Sequence, residues 1–200
     1  MMTITIVDMD AFPVLSNEAL VANRVAAISD AKLRVTQQNA RVNWTLAPEP
    51  FDSPDALALR RAYYYDVASS YWKRPATEAE IDAGLKDDGV EKLAAPTGEF
   101  FVGRYDGEPA ACAGVLRLDP DTSELTRVFI RPEYRGKGGS GLLINALEDT
   151  ARALGTKRIV LDTRPDLVEA CKLYERHGYQ DFHQYKPAED YPQVWYSKDL

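Results

Sequence analysis

The residues best suited to chemistry lie in one run, Val128-Phe129-Ile130-Arg131-Pro132-Glu133-Tyr134-Arg135-Gly136-Lys137-Gly138-Gly139-Ser140-Gly141. It passes from an apolar, strand-like segment through a proline-containing turn into Leu142-Leu143, the start of a helical pattern. Such a junction suits an anion. Glycines let successive backbone N–H groups approach a phosphate without a Cβ in the way, and a helix start adds unpaired donors and a partial positive charge. Arg135 and Lys137 add full charges, so Arg135, Gly136, Lys137, Gly138, Gly139, Ser140 and Gly141 read as a pyrophosphate cradle. The same six residues from Gly136 to Gly141 also satisfy the Gly-x-Gly-x-x-Gly dinucleotide fingerprint, with Asp162 about twenty residues on. In a dinucleotide fold the strand runs directly into the first glycine, whereas here residues 131–135 intervene. Only residues 163–200 would then remain for the other parallel strands. A Rossmann-type NAD-binding protein is therefore the weaker reading, beside a plain glycine-rich surface turn.

A second signature is Glu169-Ala170-Cys171-Lys172-Leu173-Tyr174-Glu175-Arg176-His177-Gly178-Tyr179. It resembles the Ala-x-x-Leu-Tyr-x-x-x-Gly-Phe/Tyr helix-to-strand ending of the GNAT acyltransferase superfamily. Arg135, Gly138 and Ser140 likewise fall on that family's Arg/Gln-x-x-Gly-x-Gly/Ala pattern, with Ser140 where Gly or Ala is usual. Leu167 stands where many members have Asn, seven residues before the tyrosine. The resemblance covers about residues 41–200. It implies acetyl-CoA as cosubstrate and direct acetyl transfer to a primary amine without a covalent enzyme intermediate. It also implies that the Val128–Phe129–Ile130 backbone meets the pantetheine arm, and that Tyr174 protonates the departing thiolate. For Tyr174 the competing reading is an ordinary buried core tyrosine.

An ammonium with an ordinary pKa near 10 must lose a proton before it attacks a thioester, so a base or a water relay is needed. Glu124 is the candidate. Strand alternation puts it with Thr126, Val128 and Ile130 on one face, opposite Leu125, Arg127 and Phe129. An ion pair with Arg127, or a solvated strand end, is the alternative role. Tyr63, Tyr64, Asp66 and Tyr71 crowd one predicted helix, and helices at this point of the family form the acceptor wall. The cluster reads equally as an aromatic pocket with Asp66 as cation partner or as structural packing. Cys112 and Cys171 lack a His-based activation pattern, which disfavours a thiol nucleophile. His177 is expected to act only on the helix dipole.

Positioning these groups requires a mixed α/β fold. Val42, Trp44 and Leu46 alternate in a first strand before the breakers Pro48, Pro50 and Pro54. Leu59, Tyr63, Val67 and Tyr71 recur at helical spacing up to about Lys73, behind Asp52 and Ser53 as caps. Thr77 and Glu80 form a capping-box pattern for a second helix, which ends at Asp87-Asp88-Gly89. Asp106-Gly107 splits residues 99–118 into a hairpin, and residues 124–130 add a third antiparallel strand. A helix over 138–154, a strand over 158–162, a helix over 165–177 and closing strands near 179–182 and 194–196 follow. The expected architecture is a bent central sheet, antiparallel in its first part, with helices on both faces.

The formal net charge of −7 argues against nucleic acid and suits cationic amines, whether small molecules or peptide and protein amines. Two cysteines and two histidines without ligand spacing imply no metal. No stretch reaches the roughly 18 apolar residues of a membrane span, so a cytoplasmic location is expected. Residues 41–200 form the expected acyltransferase domain. Residues 1–40 are an N-terminal extension with a predicted helix through Leu20, Val21, Val25 and Ile28, packing on that domain or on a second copy in a homodimer. A non-catalytic acyl-CoA-binding or regulatory module is the competing functional class.

Overall fold

Two residues set the first long pairing. Asp106 and Gly107 both take positive φ, 51° and 89°, as a two-residue type I′ turn requires. Strand β2 (Gly98–Tyr105) thereby folds back on β3 (Glu108–Arg117). Strand β1 (Trp44–Pro48) pairs with the other edge of β2, and β4 (Thr122–Ile130) with the other edge of β3, all antiparallel. Strand β5 (Arg158–Thr163) then joins β4 in parallel, and β7 (Val194–Asp199) and β6 (Gln180–Asp181) complete a seven-stranded sheet of order β1-β2-β3-β4-β5-β7-β6. The computed structural model describes residues 43–86, 88–188 and 191–200. The predicted helix within 1–40 lies outside the described residues.

Helices cover both faces because both faces carry apolar side chains. Helix α1 (Pro54–Trp72) starts at Ser53, whose hydroxyl accepts from Ala56 N at 3.2 Å, and stops at Lys73, with φ of 55°. Helix α2 (Glu78–Lys86) opens on a formed capping box: Thr77 N reaches Glu80 Oε2 at 2.8 Å and Glu80 N reaches Thr77 Oγ1 at 3.3 Å. On the α1 face, Ala56 and Leu59 pack with Phe100, Val102, Cys112 and Phe129. The opposite core holds Leu143, Ile144, Leu147 and Ala151 of α3 (Gly139–Ala153) against Val115, Leu125, Ile159 and Leu161, with Tyr174 of α4 (Val168–Arg176) closing its end. Each fully buried Leu or Ile contributes ~1.5–3 kcal/mol.

This topology removes the dinucleotide reading of the glycine run, because the strand before the loop belongs to an antiparallel meander and only β4 and β5 run parallel. One boundary also differs from expectation. Helix α4 starts at Val168 rather than at Pro165, because Arg164 grips Asp166 with two bonds of 2.8 and 2.7 Å. Residues 164–167 instead form a turn, closed by Leu167 N donating to Arg164 O at 3.1 Å. Arg164 also donates to Val67 O at 2.9 Å, tying the turn to α1.

Candidate active site

The parallel pairing of β4 and β5 is short: Thr122↔Arg158, Ser123↔Ile159 and Glu124↔Val160. Beyond Glu124 the two strands have no register with each other, although β4 runs on to Ile130 and β5 to Thr163. One edge of β4 therefore lacks a strand partner from Leu125 onward, leaving a gap where an extended ligand can take the place of a strand.

A β-bulge shapes β4 beside this gap. Cys112 pairs with Phe129 and Gly114 with Thr126, so Arg127 and Val128 together oppose Ala113, and Arg127 adopts φ of 53°. The extra residue switches the alternation. Leu125, Val128 and Ile130 all meet the α3-side core, while Phe129 packs under α1. The expected grouping of Val128 and Ile130 with Glu124, opposite Leu125, is corrected by this bulge. Arg127 does not meet Glu124 either: its guanidinium bonds Asp88 O and lies 3.6 Å from the Asp88 carboxylate.

After β4 a short turn, Pro132–Tyr134, leads into the glycine loop. Gly136 and Gly138 take φ of 75° and 84°, and a Cβ at either would meet no atom within 4 Å. The loop thus borders open space. Helix α3 has Gly138 at its N-cap position and no side-chain cap, leaving its first amides to external acceptors. Gly139 faces inward, where an added Cβ would lie 2.5 Å from the Trp44 ring. Trp44 also anchors the loop, donating from Nε1 to Lys137 O at 2.8 Å. The Lys137 ammonium sits over Tyr105 and Tyr134, at 4.7 and 5.1 Å from the ring centres. Arg135 donates from Nε to Ile130 O at 3.0 Å and pairs with Asp66 on α1 at 2.8 Å.

The aromatic residues of α1 diverge. Tyr63 packs edge-on against Phe129 at 6.1 Å, and burial pushes its hydroxyl pKa up. Tyr64 turns to Asp88, with its hydroxyl 3.4 Å from Oδ2. Tyr71 lies under Arg164, 5.2 Å from the ring centre, and beside Tyr191. Of the four residues expected along an acceptor wall, Tyr63 lies beside β4 at the gap, Asp66 joins the glycine loop, and Tyr64 and Tyr71 serve other partners.

Tyr174 is buried, stacked edge-on with Tyr179 and tilted against Tyr196. Burial, with the negative charge of Asp162 adding to it, raises its pKa and keeps the hydroxyl protonated. His177, the C-cap of α4, has its pKa lowered by burial, which works against the cationic dipole role expected of it.

Glu124, 8% exposed, is held by two groups from distant sequence. Tyr185 donates to its Oε1 at 2.7 Å, and the Lys186 ammonium lies 2.6 Å from the same oxygen. Lys186 simultaneously meets Asp162 Oδ1 at 2.7 Å, and Gln193 donates to Asp162 Oδ2. Lys186, Tyr185 and Gln193 sit in the aperiodic connection between β6 and β7, where no sequence pattern marks them. Asp162 was visible only as the acidic residue of the discarded fingerprint. Among the described residues, no group of three or more His, Cys, Asp or Glu side chains is arranged to hold a metal ion. No helix among them is long and apolar enough to cross a membrane.

Comparison with known proteins agrees with this fold. The acetyltransferase (GNAT) family model matches residues 58–179, well over half of the 200-residue chain, and the chain belongs to that family. An uncharacterized N-acetyltransferase of Escherichia coli, YjgM, is 32% identical over 97 residues, which is 47% of this chain and 58% of that protein. The chain spans about three fifths of the length of the curated relatives it matches. The crystal structure of an acetyltransferase from Streptococcus agalactiae shares the fold, with a TM-score of 0.62 at 20% identity over 79% of this chain and 99% of that one. So does a GNAT family acetyltransferase from Elizabethkingia anophelis with acetyl-CoA bound, with a TM-score of 0.54 at 17% identity over 79% of this chain and 99% of that one.

Proposed function

We propose that this protein transfers the acetyl group of acetyl-CoA to a primary amine by direct attack. The observation that carries the reading is the gap between β4 and β5, which has an open glycine loop and bare helix start at one end and Glu124 at the other. The donors of the loop fit a pyrophosphate: Gly136 and Gly138 leave room for it, and the amides at the start of α3 supply hydrogen bonds. Arg135, half exposed and 6.0 Å from the Phe129 ring centre, adds a full charge at the entry to that loop. Val128, Phe129 and Ile130 border the gap and offer main-chain groups to the pantetheine arm.

Acetyl-CoA supplies the acyl group as a thioester. Glu124 takes the proton from the attacking ammonium, directly or through a water, and Tyr174, kept protonated by burial, gives one to the leaving sulfur. Tyr63 forms part of the acceptor wall. Cys112 is unsuited as a nucleophile: burial pushes its thiol up to about 12, far from the thiolate range at neutral pH.

The test is free-thiol release when the purified full chain is mixed with acetyl-CoA and a panel of amines. Amine-dependent release, with the acetylated amine identified by mass spectrometry, is the expected result. Tight CoA binding by calorimetry with no release for any amine would instead mark a binding module.

A further inference from the structure

The strongest unassigned feature is the ammonium that already occupies the carboxylate site. Glu124 and Asp162 project from neighbouring strands on the sheet face away from α3, just where the β4–β5 pairing ends. Their side chains are only 11% and 14% exposed. Between them lies one cation, the Lys186 ammonium, at 2.6 and 2.7 Å. The Tyr185 ring stands 5.6 Å from that nitrogen and packs edge-on against Trp195 at 5.1 Å. Two carboxylates and an aromatic face together make a receptor for a primary ammonium.

We propose that Lys186 is a resident stand-in for the acceptor, and that the ammonium of an unbranched primary alkylamine exchanges with it between Glu124 and Asp162. This rests on the reading of Glu124 as the carboxylate that meets the acceptor. Three features point the same way. The site carries two negative charges against one positive, so it keeps a net attraction for cations while Lys186 is in place. The lysine side chain is itself an unbranched alkylammonium, so its seat has the dimensions of that class. Lys186 is also the least anchored member: it is 36% exposed and belongs to an irregular connection, whereas both carboxylates stand on strands. A tethered competitor lowers the apparent affinity for the true ligand by the fraction of time the seat is free. Exchange also frees Glu124 from a permanent ammonium partner and gives it the one whose proton must be removed.

Two measurements on the full chain decide this. With acetyl-CoA saturating, Lys186→Met should lower the KM for n-pentylamine about fivefold or more. An unchanged or raised KM would overturn the proposal, and a loss of kcat beside it would make Lys186 a residue that positions Glu124. The second measurement uses the wild-type protein and needs neither turnover nor a folded variant. n-Pentylamine, added without acetyl-CoA, should displace Lys186 and increase its labelling by an excess of amine-reactive ester at least about threefold relative to the other lysines, which correct for ester consumed by the free amine, read by peptide mass spectrometry. Labelling of Lys186 that does not change overturns the exchange. If wild type releases thiol with amines while both measurements fail, only this inference falls. If no amine releases thiol, the proposed reaction falls, and the labelling result still reports whether the seat takes an alkylammonium.

Discussion

The Arg135 guanidinium, at the entry to the glycine loop, is bound to the carboxylate of Asp66 on α1 at 2.8 Å. The bond joins the proposed phosphate site to the first helix of the acceptor side. Both side chains are substantially exposed, 50% and 38%, so the pair adds little to stability and can be altered without unfolding the protein. Arg135→Ala is expected to weaken CoA binding about tenfold or more, through loss of a charge-assisted contact. Asp66→Asn should act in the opposite direction, tightening CoA about two- to fivefold by releasing the guanidinium from a pair worth up to ~1 kcal/mol. Calorimetric titration of both variants checks this, and equal affinities in all three proteins would remove Arg135 from the phosphate site.

Gly139 tests how the loop is supported. Its missing Cβ would fall 2.5 Å from the ring of Trp44, which is 3% exposed and cannot swing into solvent. Gly139→Ala should therefore cost ~1–3 kcal/mol by overpacking, measured by urea unfolding. An unaltered midpoint would mean that the ring relaxes freely.

Asp166 carries a pH signature. Its two-bonded contact with Arg164 holds its pKa at about 2, below the ordinary 3.8. A depressed carboxylate pKa stabilises the fold above the unfolded value of 3.8, and that contribution disappears as pH falls through the folded value of about 2. Asp166→Asn should lower the melting temperature at neutral pH and flatten its acid dependence in that window. Parallel wild-type and variant melting curves from pH 5 downward would show no mutation-specific slope if the contact were solvent-screened away.

Tyr174→Phe removes one oxygen and keeps the ring that packs on Tyr179 and Tyr196. Folding and CoA affinity should change little, while turnover should fall about tenfold to a hundredfold. Thermal melting measured alongside separates a lost proton donor from a loosened core. Wild-type turnover over the accessible pH range would leave Tyr174 as packing alone.

Much of this molecule is local and therefore legible in sequence. Asp106-Gly107 encodes its hairpin because few other pairs tolerate two successive positive φ values, and Ser53 and Thr77–Glu80 mark helix starts through bonds within three residues. The glycine loop and the Leu173–Tyr174 helix ending are each short contiguous runs, so the resemblance to the family is legible without the fold. Tertiary structure decided what depends on neighbours far along the chain. The bulge at Arg127 is a property of β4 paired with β3, and it reversed which residues share a face with Glu124. Asp66 met Arg135 across 69 positions, and Glu124 met Lys186 across 62. Such pairs leave no periodic trace, because a charge is matched by whichever opposite charge the fold brings within a few ångströms. The sequence therefore carried the resemblance to the family, and only the fold decided which charges stand around Glu124.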